Sequence, residues 1–170
     1  YVIGKAARKL YLPPPRITEI VPTSQQTPQK WRYTTDKPAD IWQQPEFDDS
    51  KWKSGPGGFG EPGTPGSVVG TAWKTNDIWL RRSIDLGDNV PRLLNDFAIR
   101  IHHDEDAEVY LNGEMIAKTT SYTTQYVDLP LEDSARKLLK VGRNVLAVHC
   151  HQTGGGQYID VGLVDVQELK

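Results

Sequence analysis

Residues 107–114 read AEVYLNGE, which is the strongest local signal of secondary structure in the chain. Apolar and polar side chains alternate through Val109, Tyr110 and Leu111, which is typical of a β-strand with one buried face. Asn112 and Gly113 then supply two residues that tolerate a positive φ, as a tight two-residue hairpin requires. The stretch therefore predicts two antiparallel strands joined by a type I′ turn.

Short alternating segments continue this pattern on both sides of the hairpin. We predict strands at residues 30–34, 78–84, 97–102, 108–111, 114–118, 125–129, 144–149 and 159–167. One short helix is predicted near residues 132–140, with acidic residues in its first turn and Gly142 just beyond its end. Many short strands without alternating helices predict an all-β fold, an antiparallel β-sandwich of the jelly-roll type with one short helix.

The length of 170 residues and the net charge of −2 limit the domain count and the partners. This length is typical of one domain. We predict that residues 1–29 are a linker or N-terminal extension, because Leu12-Pro13-Pro14-Pro15 is too stiff for a helix or a central strand. Residues 30–170 are predicted to form the sandwich domain. The charge balance lacks a strong basic excess and no run of about 18 apolar residues occurs, so neither nucleic acid nor membrane is a predicted partner.

Four motifs occur in an order that resembles a known family. They are FDDSKW at 47–52, DIWLRR at 77–82, AEVYLNGE at 107–114 and GRNVLAV at 142–148. Together they resemble galactose-binding-like domains, in particular the sugar-binding domain of family two glycoside hydrolases and related accessory modules of secreted bacterial hydrolases. The resemblance implies a sugar bound on loops at one end of the sandwich, or a structural domain beside a catalytic barrel. It also implies a secreted, periplasmic or cell-surface location.

Two imidazoles and three carboxylates occupy positions 102–106. Calcium is the cofactor that this segment could bind, with Asp104 and Asp106 as ligands, whereas zinc would need His102 and Asp104 with a distant ligand such as His151. The alternative is a solvated turn whose aspartates accept backbone hydrogen bonds. The spacing favours the turn because it matches no EF-hand or HExxH pattern, so no cofactor is predicted unless it is calcium.

Aromatic and polar side chains supply the candidate sugar-binding residues. Aromatic rings with a polar edge stack on a pyranose and hydrogen-bond to its hydroxyls, but they also fill cores. We predict that Trp73 is exposed, since it lies between a Gly-rich region and the strand near Ile78. The glycines at 154–156 permit close approach of a ligand, although a mobile hairpin connection would use them equally.

The predicted ligand-binding residues are Trp73, Trp79, Arg81, His103, Glu105, His151, Gln152, Gln157 and Tyr158. Core packing is the alternative for Trp79, as for Trp31 and Trp52. A structural ion pair is the alternative for whichever of Arg81 and Arg82 points inward. Cys150, the single cysteine, is predicted to be buried and inert.

These residues predict a non-catalytic carbohydrate-binding or accessory module of a larger glycoside hydrolase-like protein. Its predicted partners are carbohydrate and a neighbouring catalytic domain in the same chain. One alternative is a purely structural domain that docks on that catalytic domain. A small stand-alone glycoside hydrolase is less favoured, because adjacent carboxylates point to opposite faces of a strand and no pair from separate elements can be assembled.

Overall fold

The structure of the protein is a computed structural model that describes residues 13–88 and 96–168. These residues form twelve strands and one four-residue helix. The strands are β1 (Arg16–Val21), β2 (Lys30–Thr34), β3 (Lys53–Pro56), β4 (Phe59–Gly60), β5 (Thr71–Ala72), β6 (Asp77–Leu86), β7 (Asp96–Asp104), β8 (Asp106–Leu111), β9 (Glu114–Thr119), β10 (Val127–Pro130), β11 (Gly142–His151) and β12 (Tyr158–Gln167), and the helix is α1 (Asp133–Arg136).

The strands form two sheets that pack face to face. Sheet A has the order β10-β7-β12-β4-β5, with β1 added to β12, and sheet B has the order β3-β2-β6-β11-β8-β9. Every described pairing is antiparallel except that of β4 with β5. Alternate residues of the long strands meet in one core, for example Ile99 and Ile101 of β7 and Leu146 and Val148 of β11. The prediction of an all-β antiparallel sandwich with one short helix is confirmed.

The Asn-Gly hairpin between β8 and β9 forms as predicted. Asn112 has a φ of 51° and Gly113 a φ of 92°. The Asn112 side chain also ties the turn to the segment before β11: its Nδ2 donates to the Leu138 carbonyl at 2.7 Å and to Asn144 Oδ1 at 2.8 Å. Its Oδ1 accepts from the Val145 amide at 2.8 Å. One residue thus fixes both the hairpin and the start of β11.

The predicted helix at 132–140 is shorter than expected, with regular α-helix confined to α1. Beyond it, the amides of Leu138 and Leu139 bond three residues back, to Ala135 and Arg136. The buried Asn144 side chain then captures both the amide and the carbonyl of Lys140. A side chain that bonds the backbone in this way competes with helix propagation.

Residues 16–21 form β1 in sheet A, so this part of the predicted linker or N-terminal extension belongs to the sandwich. Arg16 is paired with Gln167 and Val21 with Leu163. Val21 is buried, and Gly162 lets it approach β12 closely: a Cβ at Gly162 would lie 2.4 Å from the Val21 carbonyl oxygen. Residues 1–12 lie outside the described residues. In the described part of the chain, no helix is long and apolar enough to cross a membrane.

Candidate functional site

Two connections cross from one sheet to the other at the same end of the sandwich. The first runs from β7 to β8 through residues 104–106, and the second runs from β11 to β12 through residues 152–157. They lie side by side because Asp104 pairs with Tyr158 in sheet A and Asp106 pairs with His151 in sheet B. Sequence-distant polar residues therefore meet at one corner.

This corner contains a cleft of about 260 Å³, which we call the end cleft. Its lining consists of Pro65, Asp104, Glu105, Tyr122, Thr123, Thr124, Gly154, Gly155 and Gly156. Three glycines form one wall, so the backbone itself can contact a ligand there. Hydroxyl and carboxylate groups face them, and these groups accept or donate hydrogen bonds.

Asp104 is the most buried ionisable side chain of the cleft, at 6% exposure. Its carboxylate lies against Gly156, where a Cβ would come 2.5 Å from Oδ2. Its Oδ1 has no hydrogen-bond partner among the described residues. Burial, with a further contribution from the charge of Glu105, raises the pKa of Asp104. Asp104 thus lines the cleft with a carboxylate whose buried Oδ1 is left without a donor among the described residues.

Glu105 and His103 are held by contacts within the same corner. Glu105 Oε2 accepts a hydrogen bond from the Thr153 hydroxyl. His103 Nδ1 lies 2.7 Å from the Glu105 carbonyl and 3.1 Å from the Ser121 carbonyl. Because carbonyls only accept, Nδ1 carries a proton, and the buried His103 positions the crossing at 104–106 from beneath.

Tyr122 is the aromatic residue of the end cleft, and it is 60% exposed. Its backbone bridges to Asp104, and the next amide, that of Thr123, donates to the His103 carbonyl at 2.8 Å. The backbone is therefore fixed while the ring stays open to solvent. Tyr122 is one of five tryptophans and seven tyrosines in the sequence, and no local pattern distinguishes it from the others.

The glycine-rich connection is braced by the two predicted glutamines. Gln152 Nε2 donates to the Gly156 carbonyl at 2.7 Å, and this hydrogen bond links the start of the loop to its end. Gln157 is buried, and its Nε2 donates to the Thr75 carbonyl at 2.6 Å. Both side chains therefore shape the wall of the end cleft without lining it.

The prediction that Trp73 is exposed is wrong, since the indole is 2% exposed and belongs to the main core. Its Nε1 donates to the Thr75 hydroxyl at 3.0 Å, so the polar edge of the ring is satisfied inside the fold. Tyr158 is also fully buried. Its hydroxyl contacts the Tyr126 hydroxyl at 2.7 Å and donates to the Val68 carbonyl at 3.1 Å.

Trp79, Arg81 and His151 lie on the outer face of sheet B and do not line the end cleft. Arg81 is buried and forms an ion pair with Asp49 at 2.9 Å, which matches the structural alternative that the sequence leaves open. Trp79 stacks on His149 with ring centroids 4.7 Å apart. His149 and His151 share one carboxylate oxygen of Asp77, at 2.8 and 2.9 Å.

No group of three or more His, Cys, Asp or Glu side chains in the described ranges is arranged to hold a metal ion. Asp106 Oδ1 accepts a hydrogen bond from the Ser121 amide at 3.0 Å. His102 Nε2 contacts the Thr123 carbonyl, and His151 contacts Asp77. Cys150 is fully buried as predicted, and burial raises the pKa of its thiol.

Comparison with known proteins gives matches in structure. No family model matches the chain, and no curated protein matches it. A glycosyl hydrolase family 2 member from Bacteroides cellulosilyticus is 16% identical with a TM-score of 0.56, over 82% of this chain and 20% of that one. A β-glucuronidase from Bacteroides uniformis is 18% identical with a TM-score of 0.55, over 89% of this chain and 18% of that one.

A β-glycosidase from Bacteroides vulgatus is 14% identical with a TM-score of 0.52, over 87% of this chain and 20% of that one. The chain therefore spans about a fifth of the length of these solved structures. At these identities the likeness establishes a shared sandwich fold.

Proposed function

We propose that this chain is a non-catalytic carbohydrate-binding or accessory domain of a larger glycoside hydrolase-like protein. The proposal includes assignment of the sandwich to the galactose-binding-like jelly rolls and a location outside the cytoplasm. The fold likeness to about a fifth of each of several glycosidase chains supports a role as one domain among others. The site, rather than the fold, must support the choice of ligand.

The observation that carries sugar binding is the exposed Tyr122 ring beside Asp104, Glu105 and a wall of glycines. An aromatic face stacks on the C–H face of a pyranose, while carboxylates accept hydrogen bonds from its hydroxyls. The position also fits, since binding residues concentrate on loops that a rigid scaffold holds.

Binding is favoured over hydrolysis because of where the carboxylates come from. A glycosidase places an acid and a nucleophile or base on opposite sides of the scissile bond, about 5 to 10 Å apart. The carboxylates that line the end cleft, Asp104 and Glu105, are neighbours in one connection. This arrangement suits recognition of one sugar face.

The test is a calorimetric titration of the purified chain against a broad panel of oligosaccharides. For a ligand that binds, Tyr122→Ala should weaken the affinity by about 1 to 3 kcal/mol, because the stacking face is lost. Tyr122→Phe should retain most of the affinity, since the ring remains. Ile41→Ala is the matched control, because Ile41 is 62% exposed and does not line the end cleft.

If the folded protein binds no oligosaccharide of the panel, the result contradicts sugar binding. It would favour the alternative in which the sandwich docks on a neighbouring catalytic domain. In that case the isolated chain should associate with the separately produced catalytic domain of its parent protein, in a sedimentation experiment.

A further inference from the structure

We infer that the end cleft selects sugars that carry a free, positively charged amino group over neutral sugars and over uronates. This inference rests on the proposed function and names the ligand class of the same cleft. It follows from the charges of the lining, the unused acceptor on Asp104 and the size of the space.

The lining of the end cleft carries negative charge without a matching positive side chain. Asp104 and Glu105 are its ionisable acids, and none of its nine residues is Lys, Arg or His. His103 is the nearest imidazole along the chain, but its Nδ1 proton is committed to two backbone carbonyls. A ligand therefore meets carboxylates, and a uronate would place a like charge beside them.

The unpartnered Oδ1 of Asp104 is the second observation, independent of the charge count. Asp104 is more than nine-tenths buried, yet no described group donates to this oxygen. A buried acceptor without a donor costs free energy, and the cost is larger for a charged group. An ammonium group supplies up to three donors together with the missing charge, whereas a hydroxyl supplies one donor and no charge.

The form of the site argues for an amino sugar over a bare metal ion. Calcium takes six to eight oxygen ligands, and the described residues hold no cluster arranged for a metal. The cleft measures about 260 Å³, less than the range typical of sites for drug-sized ligands, so it suits a single sugar unit. Tyr122 at the rim adds an aromatic face, which attracts cations as well as pyranose rings.

The experiment compares four tetrasaccharides by calorimetry: a β-1,4 glucosamine tetramer, its fully N-acetylated form, a glucose tetramer and a tetramer of three glucose units followed by a terminal glucuronate. We expect the glucosamine tetramer to bind at least about tenfold more tightly than the glucose tetramer, and the glucuronate-terminated chain to bind most weakly. The preference for the amine should shrink as salt is added, because ionic strength screens charge interactions at a partly open site.

Asp104→Asn should bring the affinities for the glucosamine tetramer and the glucose tetramer to within about twofold of each other, whatever its effect on the binding of either sugar alone. Glu105→Gln removes the other negative charge of the cleft at a less buried position, and it should also reduce the preference for the amine. It serves as the second variant in case Asp104→Asn disturbs folding. Asp40→Asn is the control, since it removes one negative charge from an exposed position outside the cleft.

The outcomes separate the two proposals. If neutral tetramers bind as tightly as the amine, or if the uronate binds most tightly, the inference is wrong and the sugar-binding function stands. If none of the four sugars and no member of the broader panel binds, the proposed function itself is wrong. If Asp40→Asn reduces the amine preference as much as Asp104→Asn, the preference is a net-charge effect and the cleft assignment is overturned.

Discussion

Asp160 on β12 is a carboxyl group buried at 1% exposure on sheet A. Its Oδ2 accepts from the Ser24 amide at 2.7 Å and from the Tyr126 hydroxyl at 2.8 Å. Its Oδ1 accepts from the Val161 amide at 3.1 Å. Burial outweighs these hydrogen bonds and raises the pKa of Asp160 to about 6.

This raised pKa predicts a pH dependence of stability with a definite sign. The folded pKa lies above the ordinary value of 3.8, so the folded state binds the proton more tightly than the unfolded chain. The contribution of Asp160 is therefore fully present below about pH 4 and is lost as pH rises through about 6, by about 3 kcal/mol in total. Urea unfolding of the wild type and of Asp160→Asn from pH 4 to 8 measures it.

The free energy of unfolding of Asp160→Asn, relative to the wild type, should increase with pH across that window. Using the difference between the two proteins removes the titration of the other carboxyls, which both share. Parallel pH profiles for the two proteins would show that burial does not perturb this group.

The sequence shows which polar residues stand at the end of a strand, but it does not show which residues lie beside them in the fold. Asp104 and Glu105 stand out in the sequence because they follow a predicted strand. The glycines at 154–156 stand out because they lie between two strands. Their proximity depends on the register of β12 against β7, which joins residues more than fifty positions apart. Trp73 shows the same limit, since its flanking residues indicate a loop and say nothing about what covers the indole.

Residues 36–52 cover the outer face of sheet B, and the buried Arg81 of β6 makes more contacts with them than the exposed Arg143 of β11 does. Arg81 pairs with Asp49 and donates to the carbonyls of Trp42 and, at 3.0 Å, Gln44. Around it lies a second apolar cluster, formed by Trp42, Trp79, Ala147, Phe47, Trp52 and Tyr110. A buried guanidinium with several acceptors thus joins an irregular segment to a strand.

Arg81→Leu should destabilise the protein by about 3 kcal/mol, because it leaves a partly buried carboxylate and several carbonyls without their donor. Tryptophan fluorescence should shift to the red as the segment, which carries Trp42 and Trp52, loosens. Arg143→Leu is the control, because Arg143 makes comparable hydrogen bonds from an exposed position and should change stability by less than about 0.5 kcal/mol. Equal effects of the two substitutions would mean that Arg81 is not an anchor.

The elements that the sequence predicts are those with enough residues to show a period. β2 and β6–β12 each extend over four to ten residues with alternating or continuous apolar positions, and all eight are predicted within a few residues. β4 and β5 have two residues each, which is too short for any period, and β3 contains glycine and proline. β1 contains β-branched residues, but it directly follows a run of prolines, and that run predicts an irregular segment.

β1, near the start of the chain, completes sheet A by pairing with β12, the last strand. Its fit depends on Gly162, where a Cβ would lie 2.4 Å from the Val21 carbonyl oxygen and 3.0 Å from the Thr23 amide nitrogen. These contacts are with backbone, which cannot move aside as a flexible side chain can.

Gly162→Ala should therefore displace the end of β1 and cost about 2 kcal/mol. Limited proteolysis should then cut before residue 24 faster than in the wild type, because the strand is less protected. Gly87→Ala is the control, since nothing lies within 4 Å of its added Cβ. Unchanged proteolysis in Gly162→Ala would show that β1 is not held by this contact.

The pairing of Arg16 with Gln167 also determines how a longer polypeptide can carry the sandwich. The incoming and outgoing segments leave from adjacent strands, so a host could accept the module as an insertion in a surface loop. The ten residues of β12 separate this attachment corner from Tyr158, next to the end cleft, by about 30 Å. Both connecting segments would thus attach at the end of the sandwich opposite the end cleft. The cleft would then face away from the host.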